Sequence, residues 1–350
     1  MTKYDKFQQK KVQCVKGSYY VYLPKSWAVK YGLKDDRRVL LKRMKDDSLI
    51  IKAVNIETHI EDTYEISLDY DKEKNEDIEK PEYVDYLFNL FLTAYIIGYK
   101  RVIFKKTSKI SLELQNRISQ MTKRFHGMVI MAENKKEIVV EDTSNSVNLK
   151  LLVKQIINKV GIQISNYIEL FEGYDRLKEE GKLYNLIDEL IKQDDQIDEH
   201  RYAIERTVHQ ILNYPSLGMD LNINTVECLH YSECARMLER VGDYLLKLAR
   251  ALKEEPIDDY EILKKRMWDM RENYNIVQDY FFRNDTLKFY HLIRSIMEDS
   301  QKMRDIMIED HPDKVYIHSI RRIENICTDI AEIRINDIVA RKEQLKDLAL

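Results

Sequence analysis

The chain has 350 residues, 44% of them hydrophobic, and its 57 basic and 60 acidic side chains leave a formal net charge of −3. That length allows two or three domains with buried cores. No apolar run approaches the roughly 20 residues of a membrane span, and the polar start MTKYDKFQQKK lacks the apolar core of a signal peptide. Cys14, Cys228, Cys234 and Cys327 show no C-x-x-C spacing, so they read as reduced, packed thiols of a cytoplasmic protein rather than a disulfide scaffold. Gly and Pro are scarce, at nine and five, which favours long helices.

Charge is segregated along the chain. Residues 1–54 carry eleven Lys and three Arg against five Asp, a net +9, which leaves −12 for the remainder. A basic head on an acidic body anticipates an anionic partner for the head, with a solvated basic surface as the plainer alternative. The head reads as strands over 11–15 and 19–23, a short helix over 25–31, and a hairpin of strands 38–43 and 48–52 turning at Asp46-Asp47. Tyr20 and Tyr22 alternate with Val21 and Leu23 until Pro24 ends the strand. Around them stand Lys10, Lys11, Lys16, Lys25, Lys30, Arg37, Arg38, Lys42 and Arg43, the candidate nucleic-acid contacts of a small strand-rich module. About fifty residues bury little surface alone, so an obligate dimer is expected.

Residues 55–145 mix element types. A strand over 64–68 is followed by the polar linker DKEKNEDIEK at 71–80. Then come a helix over 81–98 with Pro at its start and Gly at its end, a strand over 101–105 and a helix over 111–125. A hairpin of 128–132 and 137–141 turns at Asn134. No catalytic pattern lies in this α+β segment. From about residue 146 the pattern is helical throughout. Six helices fall near 148–173, 179–213, 224–253, 256–281, 285–310 and 314–345, broken at Gly173, Gly181, Pro215 to Gly218, Pro256, Asn284-Asp285 and Pro312. Long helices with short connections make antiparallel bundles, and three plus three suggests an internal duplication.

Two of these helices carry acidic pairs at i, i+4: Asp194 with Asp198, followed by Glu205, and Glu239 with Asp243. Such pairs lie about 40° apart around the helix and share a face. The first face borders the apolar stripe of Leu190, Ile197, Ile204, Val208 and Ile211. The second lies opposite the stripe of Met237, Val241, Tyr244, Leu245 and Leu248. Brought together, they would offer four or more oxygens to Mg²⁺ or another divalent cation, or to iron or manganese. Acidic helix faces are also common simply as solvated surface, and Arg201, Arg236 and Arg240 stand near enough to neutralise these. Gly242 inside the second helix costs about 1 kcal/mol unless close approach or function requires it. The eight His are scattered, and His200, His209 and His230 read as packing or surface residues. With no H-E-x-x-H and no phosphate-cradling glycine loop, an enzyme is not expected.

The sequence Glu239-Arg-Val-Gly-Asp243 resembles the E-R-I-G-D signature of the PhoU family of phosphate-uptake regulators. Asp194-Asp-Gln-Ile-Asp198, followed by Ala203-Ile-Glu205, resembles that family's D-x-x-[VI]-[DN] motif. A weaker copy, SIRRIENICTDIAE at 319–332, is similar to S-I-E-R-I-G-D-x-x-x-N-I-A-E, with Arg321 and Asn325 at its acidic positions. The resemblance implies two three-helix repeats. It also implies a metal site on Asp194, Asp198, Glu239 and Asp243, with at most one intact cluster. Leu23-Pro-Lys-Ser-Trp27 and Asp36-Arg-Arg-Val-Leu-Leu41 resemble the SpoVT/AbrB type of DNA-binding module, an interleaved homodimeric β-barrel. This module order resembles a group of archaeal PhoU-related regulators.

The expected architecture is multidomain and mainly α. An interleaved, swapped-hairpin β-barrel over 1–54 precedes a small α+β domain of unknown role over 55–145 and a PhoU-type bundle of two three-helix repeats over 146–350. The expected function is a cytoplasmic, homodimeric, DNA-binding regulator of phosphate uptake, with the bundle as sensor or docking module and a divalent or iron-type metal as its one candidate cofactor. The alternative is an adaptor that binds no DNA and docks on a phosphate transporter or signalling protein, without membrane insertion.

Overall fold

The computed structural model describes residues 9–35, 37–43, 47–54, 63–69, 81–144, 148–254, 257, 259–303 and 313–347. Side chains are not placed at 81–82, 193–194, 216, 300–303 and 341–347. The expected linker at 71–80, Asp46 of the hairpin turn and the breaks at Pro256 and Pro312 lie outside the described residues. The chain divides into two compact units, residues 1–60 and 61–350.

In the first unit, β1 (Val12–Val15) and β2 (Ser18–Val21) pair antiparallel around Lys16-Gly17. Both turn residues have positive φ, 49° and 81°, as a two-residue hairpin of matching twist requires. After Pro24, which fixes the entry angle, the helix α1 (Lys25–Lys30) forms. A second hairpin follows, β3 (Val39–Arg43) with β4 (Leu49–Ala53), in which Leu41 faces Ile51. The two hairpins form two separate two-stranded sheets. Among the described residues of this unit only Ala53 is buried. Every residue of β1 and β2 is exposed, so their Tyr–Val alternation separates no inner face from an outer one within one chain. Cys14 is accordingly exposed, not packed as expected, while Cys228, Cys234 and Cys327 are buried free thiols.

The second unit opens with β5 (Thr63–Ser67), α2 (Pro81–Ile97), β6 (Arg101–Lys105), α3 (Leu112–Lys123), β7 (Met128–Glu133) and β8 (Glu137–Asp142). Their sheet runs β5-β6-β8-β7, parallel between β5 and β6 and antiparallel elsewhere, with an irregularity between Ile130 and Ala132. One face of α2 supplies Leu87, Phe91 and Tyr95 to a core shared with Val102, Phe104, Ile118 and Phe125. The Ser111 hydroxyl caps α3 by accepting from the Leu114 N–H.

Eight helices follow: α4 (Leu149–Glu172), α5 (Tyr174–Glu179), α6 (Leu183–Asn213), α7 (Pro215–Asp220), α8 (Thr225–Glu254), α9 (Tyr260–Tyr280), α10 (Thr286–Met303) and α11 (Lys314–Asp347). The six long ones match the six helices expected. The single helix expected over 179–213 begins instead at Leu183, because Gly181 at φ +68° reverses the chain after α5. The expected turn at Pro215 is a turn of helix with Pro at its start, where the missing N–H leaves no bond unmade. Asn148 and Asp259 cap α4 and α9 through their side chains. A single apolar core runs through the helices, from Leu149 to Ile338. Tyr202 of α6 points the other way and is buried in the core of the α+β segment. One helix therefore serves both cores.

Candidate functional site

The α6 helix places Asp198, Tyr202 and Arg206 one turn apart, on the side that meets the α+β segment. Arg206 is nearly fully buried. Its guanidinium donates to the Tyr95 carbonyl, to the Tyr99 carbonyl at 3.0 Å and to Asp142 Oδ2 at 2.7 Å, and it stacks 4.7 Å from the centre of the Tyr95 ring. One cation from α6 thus joins two carbonyls at and just beyond the end of α2 to a partly buried carboxylate at the end of β8. Tyr202 donates its hydroxyl to Asp198 Oδ2 at 3.1 Å. Burial, reinforced by the Asp198 charge, pushes the Tyr202 phenol up to about 12.

Asp198 also meets Arg124, which stands at the C-terminal cap of α3. One Arg124 nitrogen lies 2.8 Å from Asp195 and 3.3 Å from Asp198, and the guanidinium lies 4.8 Å from the Phe88 ring centre. Burial raises the Asp198 carboxyl above its ordinary value. Arg201, Tyr202 and Arg124 oppose the rise, and Asp243 is close enough to add to it.

A second row on α6 faces α8. Arg201, stacked on the Tyr202 ring at 4.5 Å, lies 3.2 Å from Glu205, 3.8 Å from Asp198 and 3.7 Å from Glu239. Glu205 is 3% exposed and also accepts from Arg236 Nε of α8 at 2.6 Å. Burial disfavours the Arg201 charge, but Glu205 and Glu239 outweigh it and hold the guanidinium more firmly protonated than usual.

The expected metal set is therefore distributed as follows. Asp198 is partly buried between Arg124, Arg201 and Tyr202; Glu239 is partly buried and faces Arg201; Asp243 is exposed; the Asp194 side chain lies outside the described residues. Glu239 thus flanks α6 rather than pointing away from the core. Among the described residues no three His, Cys, Asp or Glu side chains are gathered as a metal ion would need. A cation shared by Asp198 and Glu239 would need oxygens converging to roughly 2.0–2.6 Å from it. Here the Arg201 guanidinium spans the gap between Asp198 and Glu239. Arg201 and Arg236 were visible in the sequence as neutralisers. Arg124 was not, because it comes from another segment some seventy residues upstream and no periodicity links the two.

In the stretch 319–332, Glu324 stands where the signature has the glycine that is Gly242 in 239–243. It is buried, 2.7 Å from Arg266 and 3.4 Å from Asn273, both on α9. Further along α11, Arg334 and Asp337 form a fully buried ion pair, with His230 Nδ1 3.3 Å from Asp337 and the Phe281 ring 4.8 Å from the Arg334 guanidinium.

In the first unit all nine candidate contacts are exposed. Lys10 and Lys11 precede β1 and Lys16 sits in its turn. Lys25 and Lys30 begin and end α1, Arg37 and Arg38 precede β3, and Lys42 and Arg43 lie in β3. Arg43 is paired with Asp47, Nε to Oδ1 at 2.9 Å, and the Lys30 ammonium lies 5.5 Å from the Tyr31 ring centre.

The folded chain is thus a mainly helical protein with a strand-rich basic head and a charged seam between its helices and an α+β segment. The PhoU domain profile matches residues 153–252, which takes in most of α4 together with α6 and α8, and this part of the chain is PhoU-like. That match points to a regulatory role in phosphate homeostasis. No curated protein and no solved structure is significantly similar to the chain. Among the described residues no helix is long and apolar enough to cross a membrane.

Proposed function

We propose that the protein is a homodimeric, DNA-binding regulator of phosphate homeostasis, in which the first unit contacts DNA and the PhoU-like helices receive the signal or dock a protein partner. The observation that carries the reading is a basic head in which, among the described residues, only Ala53 is buried. Residues 1–54 hold a net +9, yet Tyr19, Tyr22, Val12, Leu41 and Leu49 are each more than half exposed. Apolar strands left open in this way are stabilised when a second copy covers them. Interleaving the two hairpins of each chain into one barrel would cover the apolar faces and leave Lys and Arg outside. Those cations then meet phosphates, with affinity drawn from released counterions.

The test is an anisotropy titration of the full chain against duplex DNA over a range of salt. Affinity falls steeply as salt rises, with a log–log slope of about −0.9 for each phosphate neutralised. Replacing Arg37 and Arg38 with Ala weakens binding several-fold and flattens that slope. Binding that is insensitive to salt, or absent at low salt, sinks the proposal in favour of an adaptor that acts through protein contacts alone.

A further inference from the structure

We propose that the carboxylate face of the PhoU-like first repeat is the docking site of the chain's own α+β segment, with arginines standing where a metal cation would. Three observations converge on this. Arg124 reaches from the end of α3 to Asp195 at 2.8 Å and Asp198 at 3.3 Å. Arg201 spans Asp198, Glu205 and Glu239 at 3.8, 3.2 and 3.7 Å. Tyr202, between them on α6, hydrogen-bonds Asp198 while its ring is buried in the α+β core.

A bound cation draws carboxylate oxygens inward to one point. Here two planar guanidinium groups hold them apart, and each stacks on an aromatic ring, Phe88 for Arg124 and Tyr202 for Arg201. Both arginines also keep a buried Nε without a hydrogen-bond partner, so their planes are set by stacking and by the charges they bridge. Asp195 and Asp198 are spent on holding the α+β segment, while Glu205 and Glu239 are spent on joining α6 to α8. The α+β segment is thereby a fixed cap on the PhoU-like face, and the charge pattern that elsewhere would suit a metal here fixes where that cap sits.

Equilibrium dialysis of the full chain against Mn²⁺, followed by elemental analysis, tests the replacement. The wild type retains no metal above the buffer level. Arg201→Met, which keeps the stem and removes the charge, gains metal, and adding Glu239→Gln removes it again. Amide hydrogen exchange tests the docking. Arg124→Ala speeds exchange in α2 and α3 by about tenfold or more and leaves α10 unchanged, and its effect is non-additive with that of Asp198→Asn. Stoichiometric metal on the wild type, lost in Asp198→Asn, overturns the proposal. So do an Arg201→Met chain that is folded and metal-free, and an α2–α3 exchange pattern indifferent to Arg124.

Discussion

At the scale of single residues, Glu324 shows how one carboxylate changes the local chemistry of a helical core. The matching position of the stretch 239–243 is Gly242, and the stretch 319–332 places a carboxylate there inside the helical core. Burial pushes the Glu324 carboxyl up to about 7; the Arg266 guanidinium at 2.7 Å and the Asn273 amide pull the other way without overcoming it. Across the window from its ordinary value of 4.5 up to about 7, the folded chain keeps a proton that the unfolded chain has released. Unfolding therefore releases a proton there, and this group's contribution makes stability fall as pH rises through the window. Urea denaturation at pH values near 5 and near 7 should show that loss, on the order of 2 kcal/mol. Glu324→Gln should largely remove it. An unchanged pH dependence in the variant would mean that the Arg266 pairing, not burial, sets the carboxyl. The sequence comparison singled out Arg321 and Asn325 rather than Glu324, whose burial against α9 no local pattern encodes.

At the scale of elements, α6 carries the most. Its apolar stripe was readable from spacing: Leu190, Ile197, Ile204, Val208 and Ile211 are all buried. The six long helices and the strand–helix order of the α+β segment were readable for the same reason, since periodicity reports burial on one face. What periodicity does not report is a second face packed against another segment. Tyr202 and Arg206 fall outside the stripe and would be assigned to solvent, yet Tyr202 is 4% and Arg206 4% exposed. The Arg206 partners Tyr95, Tyr99 and Asp142 lie 64 to 111 residues away, a separation that no local pattern encodes. Removing one member of such a buried network strands the others. Arg206→Met keeps the volume but takes the cation from the partly buried Asp142 and the donor from the Tyr99 carbonyl, which costs about 3 kcal/mol. Thermal unfolding should show a drop of many degrees. Arg206→Met with Asp142→Asn should recover part of it, because the stranded charge is gone. A fall of under a degree in the single variant would show that water already serves these groups.

At the scale of the whole molecule, the two units pose opposite problems. The second buries two apolar cores within one chain. The first is left with Ala53 as its one buried residue among those described, while Leu41, Leu49, Tyr19 and Tyr22 face outward. In β3, Leu41 pairs with Ile51 on one face, and Leu40 with Lys52 on the other. The Leu41 face is the apolar one, so it is where a second copy gains most from covering it. Each fully buried Leu is worth roughly 1.5–3 kcal/mol, and a carboxylate in its place reverses the sign of that contribution. Leu41→Asp should therefore convert a dimer to a monomer in sedimentation equilibrium. Helix content by circular dichroism should remain, because the second unit has apolar cores of its own. DNA affinity should fall with the dimer, since splitting the head halves the phosphates reached at once and the salt slope with them. A Leu41→Asp chain that is still dimeric would place the self-association in the helices. One that is monomeric but binds DNA as before would detach DNA binding from the barrel altogether.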